Sequence, residues 1–179
     1  HAINHARPIV IGTTGLDSHN YIQLKQASRH IPILHATNTS IGVTILSHLV
    51  KIAAQKLDLD YDIEIAETHH RQKIDAPSGT ALSLGEAAAA GRQVSFDHVR
   101  VMNREGKRQS GEIGFSVMRG GGVFGEHTIR FLGDDEIIEL SHTSLNRRLF
   151  AKGAIRAARW LIRQDAGLYT MQDVFDGDI

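Results

Sequence analysis

An α/β unit joined to an α+β unit is the fold class this sequence predicts: a parallel β-α-β-α segment, then a mixed or largely antiparallel sheet with helices on one face. Three observations predict it. Two short apolar runs, "RPIVIG" and "HIPILHA", each lead into a turn of small polar residues and then a helical pattern. Beyond Leu57 the hydrophobic period changes to two, in several segments separated by glycine or charged turns. Helical stretches interrupt and then follow those alternating segments, which places helices over one side of the sheet.

The first apolar run predicts a buried strand over Pro8–Ile11. Asp17 or Ser18 then caps a helix to about Arg29, with Tyr21, Leu24 and Ser28 on its inner face. The second run predicts a strand ending in the turn Thr37-Asn38-Thr39-Ser40. A helix over Ile41–Lys56 follows, with Val43, Leu46, Leu49, Val50 and Ala53 at helical spacing. Strand, helix, strand, helix in this order implies parallel pairing, with ligands beyond the carboxyl ends of the strands, where "GTTG" and "ATNTS" stand.

In the second segment "YDIEIAE" alternates, with Tyr61, Ile63 and Ile65 on one face and Asp62 and Glu64 on the other. "DHVRVMN", "GEIGFSVMR", "GEHTIRFLG" and "DEIIELSH" read as further strands, with helices over about Ser78–Ala90 and Phe150–Arg163. The sheet's other face also carries apolar residues, which predicts packing against another subunit. Gly120–Gly125 matches G-x-G-x-x-G literally but lies between two strand patterns. It therefore predicts a strand-turn-strand connection and not a dinucleotide loop, which must open a helix.

Composition narrows the function. Lys+Arg and Asp+Glu both number 20 in 179 residues, so no global field points to nucleic acid or membrane, and recognition of an anion must be local. The absence of cysteine excludes disulfides, thiolate catalysis and thiolate–zinc sites, and fits a reducing cytoplasm. No apolar run approaches the roughly 20 residues of a membrane span. The opening "HAINHARPIV", without Met, is the expected start of a piece of a longer protein.

The chemistry concentrates in "ETHHRQKIDAPSGTA", residues 67–81. Glu67 ends a strand pattern, so His69, His70 and Lys73 fall at the mouth of the sheet. Pro77 closes the loop, and Ser78 is a good N-cap for the helix that follows. Gly79 and Thr80 then occupy the positive end of that helix, an anion-binding position. Lys73 adds a full charge, and a histidine can exchange a proton near neutral pH. These residues fit a small carboxylate or phosphate beside an acid–base group, and they fit equally a capped helix behind a solvated polar loop. Neighbouring histidines on extended backbone point to opposite sides, which argues against a metal site, and none is expected. Arg147, between a strand and a helix, can help neutralise an anion or simply be solvated, and His127 and His142 read as structural.

The stretch His69-His70-x-x-Lys73-x-Asp75-Ala76-Pro77-Ser78-Gly79-Thr80 closely resembles the signature of bacterial dihydrodipicolinate (4-hydroxy-tetrahydrodipicolinate) reductases. "IGTTG", "NTSIGV", "GEIGFSVMRGGGVFGEHT", "RRLFAKGA" and "GLYTMQDV" extend the likeness in order over essentially the whole chain. The resemblance implies an NADH- or NADPH-dependent reductase of lysine and diaminopimelate biosynthesis, cytoplasmic and homotetrameric through the sheet of the α+β domain. It implies a Rossmann-like nucleotide domain, of which residues 1–57 are the later part. Residues 58–147 are then the substrate-binding and oligomerisation domain, and residues 148–179 a C-terminal helix and tail packing back on the nucleotide domain.

Carried over by position, His69 matches the general acid/base and Lys73 a second proton donor. His70, Ser78, Gly79 and Thr80 match groups holding the substrate carboxylates, and Arg147 an arginine near the cleft. Gly12, Thr13 and Thr14, with Ala36, Thr37, Asn38 and Thr39, match the loops contacting the nicotinamide. Two departures stand against the family pattern. About a hundred N-terminal residues with the pyrophosphate loop are missing, so weak dinucleotide binding and little activity are expected. Thr39 also stands where many relatives carry Phe. A non-catalytic dicarboxylate-binding module and an oxidoreductase acting on another small carboxylate are the alternatives.

Overall fold

The computed structural model describes residues 1–176. In chain order, after a 3-10 turn at Ile3–His5, the elements are β1 (Ile9–Ile11), α1 (Ser18–Ala27), β2 (Pro32–His35), α2 (Ile41–Lys56), β3 (Asp62–His69), α3 (Gly79–Gly91), α4 (Phe96–Val99), β4 (Arg100–Val101), β5 (Ile113–Arg119), β6 (Glu126–Leu132), β7 (Ile137–Thr143), α5 (Arg148–Leu161), β8 (Gly167–Tyr169) and α6 (Met171–Asp176). They form two compact units: residues 1–44 with the segment from Arg148 onward, and Ile45–Arg147. The division falls inside α2, whose later residues Leu46, Val50 and Ala54 belong to the core of the second unit.

The first unit holds a three-stranded parallel sheet in the order β1-β2-β8. Its core gathers Leu34 and Ala36 with Ala157 and Leu161 of α5 and Met171 and Val174 of α6. The strand β8 and helix α6 were not expected from the sequence, because three residues of strand are too short to show a period. Asp17 caps α1 by accepting the N–H of Asn20 at 2.7 Å. Of the inner-face residues expected on α1, Ser28 is buried, Leu24 is half-buried and Tyr21 is exposed. On α2, Val43, Leu46 and Val50 are buried as expected, whereas Leu49 is exposed. Tyr21 and Leu49 follow the helical period but stand at the margin of the packed stripe.

The second unit holds a five-stranded sheet in the order β4-β5-β3-β6-β7. β4 pairs parallel with β5 and β5 with β3, while β3–β6 and β6–β7 are antiparallel. The sheet is therefore evenly mixed and not largely antiparallel. One face packs Ile63, Ile65, Ile113, Phe115, Ile129 and Phe131 against Leu46, Val50 and Ala54 of α2 and Ala81, Leu84, Ala88 and Ala89 of α3. Small residues let α3 lie close: a Cβ on Gly91 would meet the Lys51 carbonyl oxygen at 2.3 Å.

The other face mixes polar and apolar residues. Register and alternation place Glu64, Thr68, Ser116, Thr128, Arg130, Glu139, Ser141 and Thr143 on it, with Met118, Leu132 and Ile137 as its larger apolar members. Glu64 is paired there with Arg104 and Arg108, and Arg130 with Glu139. Of its apolar members, Met118 and Ile137 are exposed. The stretch "DHVRVMN" is not a strand throughout: Phe96–Val99 form one helical turn before the two residues of β4, with the Phe96 ring against Phe115. Packing of the half-buried Phe96 against Phe115 overrode the alternation.

Gly120–Gly125 does connect two strands, but β5 and β6 are not neighbours; they flank β3. The connection crosses the end of β3, where the N–H of His70 donates to the Val123 carbonyl at 2.7 Å and that of Gly120 to the His69 carbonyl at 2.9 Å.

Candidate active site

β3 runs two residues further than the sequence suggested, through His69. Its alternation continues into polar residues, so Glu67 and His69 point to the same face as Ile63 and Ile65 and are buried, at 1% and 8% exposure. Cross-strand register supplies their neighbours: His69 lies opposite Arg119 of β5, and Glu67 opposite His127 of β6. A hydrophobic face thus ends in a group of charged and titratable side chains.

The Glu67 carboxylate is the hub. It accepts two bonds from the Arg119 guanidinium, at 3.0 and 2.9 Å, and one from the Ser78 N–H at 2.9 Å, and it shares a hydrogen bond with His69 Nδ1. Arg119 also donates to the Asp75 carbonyl at 2.7 Å, which ties the loop after β3 to β5. Burial pushes the Glu67 carboxyl up, but Arg119, the Ser78 N–H and His69 together hold it below the ordinary carboxylate range. For His69, burial dominates and lowers the pKa; Glu67 opposes this, while Lys73 and Arg119 add to it. The His127 ring stands edge-on to His69 at 5.1 Å between centroids. Burial and the neighbouring His69 push its pKa down to about 4, so it is neutral near pH 7.

Ser78 caps α3: its Oγ accepts the Ala81 N–H at 3.2 Å and shares a hydrogen bond with His127 Nε2 at 3.1 Å. Gly79 opens the helix to the outside, with nothing within 4 Å of where a Cβ would stand. The thirteen-residue helix directs the positive end of its dipole there. Gly125, at φ 151°, presses its backbone against His69, and a Cβ on it would stand 2.9 Å from Nε2. The glycine therefore leaves a space at hydrogen-bonding distance from that nitrogen.

Lys73 is half-buried, and its ammonium donates to both Asp75 oxygens at 2.7 and 2.8 Å. This partner was not anticipated; Lys73 holds the Asp75 carboxyl below its ordinary range. His70 is half-buried, with Nδ1 buried and without a hydrogen-bond partner. Thr80 is half-buried in the first turn of α3. Arg147 is exposed in the turn after β7, whose start is anchored by the Ser144 N–H on the Gly125 carbonyl at 2.8 Å. His69, Ser78 and Lys73 are thus gathered around one place, with Arg147 on a turn fastened beside it.

Sequence reasoning missed Glu67, Arg119 and His127 as members of this group. The spacing of Glu67 and His69 by two was a signal for a shared face; the other two arrive through strand register, which has no local signature. Glu67, His69 and His127 also bring three possible ligand atoms within 4.8 Å of one another. Arg119, however, occupies both carboxylate oxygens, so a metal ion there would meet a guanidinium directly.

In the first unit, the expected nicotinamide residues follow the adjacent parallel strands β1 and β2. The Ala36 N–H donates to the Ile11 carbonyl at 3.0 Å, and His35 Nε2 bonds the Thr13 carbonyl at 3.1 Å, which holds the two loops together. Gly12, Thr13 and Thr14 are exposed, Gly12 with its Cβ position 4.0 Å from the Ala36 carbonyl oxygen. The next loop is turned inward: Asn38 accepts the Ser40 N–H at 2.8 Å, and Thr39 donates to the Phe150 carbonyl at 2.8 Å. Loops at the carboxyl ends of adjacent parallel strands stand where an open α/β sheet places its ligands.

Comparison with known proteins gives a consistent result. The family model for the dihydrodipicolinate reductase C-terminus matches residues 42–175, and that for the N-terminus matches residues 1–39. The chain is 51% identical over 172 residues to 4-hydroxy-tetrahydrodipicolinate reductase of Wolinella succinogenes, covering 94% of this chain and 67% of the relative. The counterpart in Sulfurimonas denitrificans is 51% identical over 178 residues, covering 98% and 69%. A solved structure of dipicolinate-bound dihydrodipicolinate reductase from Paenisporosarcina sp. TG-14 superimposes with a TM-score of 0.76 at 24% identity, over 94% of this chain and 64% of that one, which establishes the shared fold.

Proposed function

The chain belongs to the dihydrodipicolinate reductase family, nicotinamide-dependent oxidoreductases of lysine and diaminopimelate biosynthesis, and from that premise we propose how its own residues serve the reduction. The substrate is 4-hydroxy-tetrahydrodipicolinate. One hydride and one proton are added and one water leaves, giving tetrahydrodipicolinate. NADH or NADPH, when bound, supplies the hydride; Gly12, Thr13, Thr14 and the backbone of Ala36, Thr37, Asn38 and Thr39 are its contacts in this chain.

The end of β3 is the dicarboxylate and proton-transfer site. The observation that carries this reading is the convergence of His69, Lys73 and the open, positive N-terminus of α3 around the space beside Gly125. One substrate carboxylate is held by the Gly79 and Thr80 end of α3 and by Ser78; His70 and Arg147 serve the other. His69 is the general acid/base and Lys73 the second proton donor, leaving Asp75 to engage the substrate. Orientation and fixed charge are what the protein contributes. Assembly as a homotetramer through the open sheet face, and a cytoplasmic location, belong to the same proposal.

Calorimetric titration with pyridine-2,6-dicarboxylate, a flat product-like ligand, tests it. The chain is expected to bind, and Lys73→Ala to weaken binding about ten- to a hundredfold, the worth of one charged hydrogen bond. Equal affinity in both proteins would remove Lys73 from the site. NADH and NADPH oxidation with the same chain then reads the redox half directly.

A further inference from the structure

We propose that Glu67, clamped by Arg119, is the positioning residue for His69: it takes the Nδ1–H, fixes that tautomer, and leaves Nε2 as the atom that exchanges the proton in the space beside Gly125. The proposal rests on reading His69 as the acid–base group and adds how that group is set. The geometry is specific. Glu67 and His69 share the inward face of β3, and the carboxylate meets Nδ1, not Nε2. Nε2 is the nitrogen that faces the missing Cβ of Gly125. A neutral imidazole with its proton on Nδ1 has its acceptor lone pair on Nε2. Nε2 takes a proton from solvent to give the imidazolium, delivers it to the substrate, and returns to the Nδ1–H form.

Arg119 makes the carboxylate a dependable acceptor. Its two N–H bonds, with the Ser78 N–H, keep Glu67 ionised although it is almost fully buried. The same guanidinium donates to the Asp75 carbonyl, so the orienter of His69 and the loop bearing Lys73 are fixed by one side chain. The charged and titratable groups facing His69 are Glu67 on its own strand, Arg119 on β5, His127 on β6 and Lys73 on the following loop. Of these, Glu67 alone favours the imidazolium by charge, and it stands against burial, Lys73 and Arg119. Carboxylate partners of this kind lose ten- to a hundredfold in function when removed at metal-bound histidines, and a comparable factor is expected here.

Nitrogen-15 NMR of the histidine rings in the whole chain reads the tautomer without any turnover. His69 is expected in the Nδ1–H form; a predominantly Nε2–H ring overturns the proposal whatever the variants do. Glu67→Gln is expected to lower the His69 pKa further and mix the tautomers, while pyridine-2,6-dicarboxylate still binds. An unchanged pKa and tautomer in folded Glu67→Gln also overturns it. In the reductase assay the variant should lose about ten- to a hundredfold in kcat with KM nearly constant, and the acid limb of the pH profile should shift with the NMR value. If Glu67→Gln does not fold, the wild-type tautomer decides. Failure of the wild type to bind the dicarboxylate would count against the substrate reading and leave the tautomer result standing.

Discussion

At the end of β3 the chain converges long side chains on one buried carboxylate, whereas at the ends of β1 and β2 it offers exposed small residues and backbone. Glu67 is held by Arg119, Ser78 and His69 in a group closed on itself. The loops of the first unit are held by backbone groups, and the side chains of Asn38 and Thr39 are spent on the fold. The difference teaches that the two sites fail in different ways. The first depends on charge partners that no neighbour can replace. The second depends on the course of the backbone, which a side chain added at a left-handed glycine disturbs.

The sharpest way to break this contrast is Arg119→Met. The methionine keeps the volume but leaves Glu67 buried without its cation, and breaking a buried pair from one side costs about 3–5 kcal/mol. A fall of several degrees in Tm is expected, with relief when Glu67→Gln is combined, since the second change removes the stranded charge. A cost under about 1 kcal/mol would mean that Ser78 and His69 suffice to hold the carboxylate.

Gly153→Ala probes the first unit in the opposite currency. A Cβ at Gly153 of α5 would fall 1.7 Å from the Thr39 carbonyl oxygen, so helix and loop must separate. Alanine favours the helix by roughly 1 kcal/mol, which only partly offsets an overpacking cost of about 1–3 kcal/mol or more. Unfolding by urea should show a net loss of about 1–2 kcal/mol. Faster hydrogen exchange at the Ala36–Ser40 loop would locate it.

How much of this could be read from the chain follows the range of each interaction. The helix over Ile41–Lys56 and the cap at Ser78 were legible because period and capping are local. The constellation of His69, Lys73, Ser78 and Gly79 was legible because it is contiguous. Arg119 lies fifty residues beyond His69 (119 − 69 = 50), and only strand register brings it across. His127 was read as structural because its alternation matched its neighbours, and its place beside His69 comes from antiparallel pairing. The helical turn at Phe96 hid behind an alternating pattern that four residues cannot sustain.

Acid sharpens the contrast further. His127 has a folded pKa of about 4 against an ordinary value near 6.5, so the fold prefers the neutral ring. That preference is fully present above about pH 6.5 and is lost as pH falls toward 4, a change approaching about 3 kcal/mol. Glu67 and Asp75, both held below their ordinary range, lose their contribution as pH falls below that range. All three belong to the second unit, so the sheet carrying β3 should loosen first on acidification. Hydrogen exchange at pH 7 and pH 5 reads this. His127→Asn should flatten the dependence between those values, and an unchanged slope would place the acid sensitivity elsewhere.

The smallest effects belong to the exposed loop after β1. Thr13 is exposed, and its structural bond is the one its carbonyl accepts from His35, which Thr13→Ala leaves in place. Stability should change by no more than about 0.5 kcal/mol. If the loop meets the nicotinamide through its backbone, NADH affinity should also change by less than about threefold, near 0.7 kcal/mol. Gly15→Ala alters the same loop by adding an atom. Gly15 sits at φ 71° with nothing within 4 Å of its Cβ position, so its cost of about 1–2 kcal/mol is conformational and not a clash. The glycine change should therefore outweigh the threonine change, although the threonine loses two heavy atoms and the glycine gains one methyl. The reverse order, with Thr13→Ala the more damaging to nucleotide binding, would mean that the loop recognises its ligand by side chain, and the two sites would no longer differ in kind.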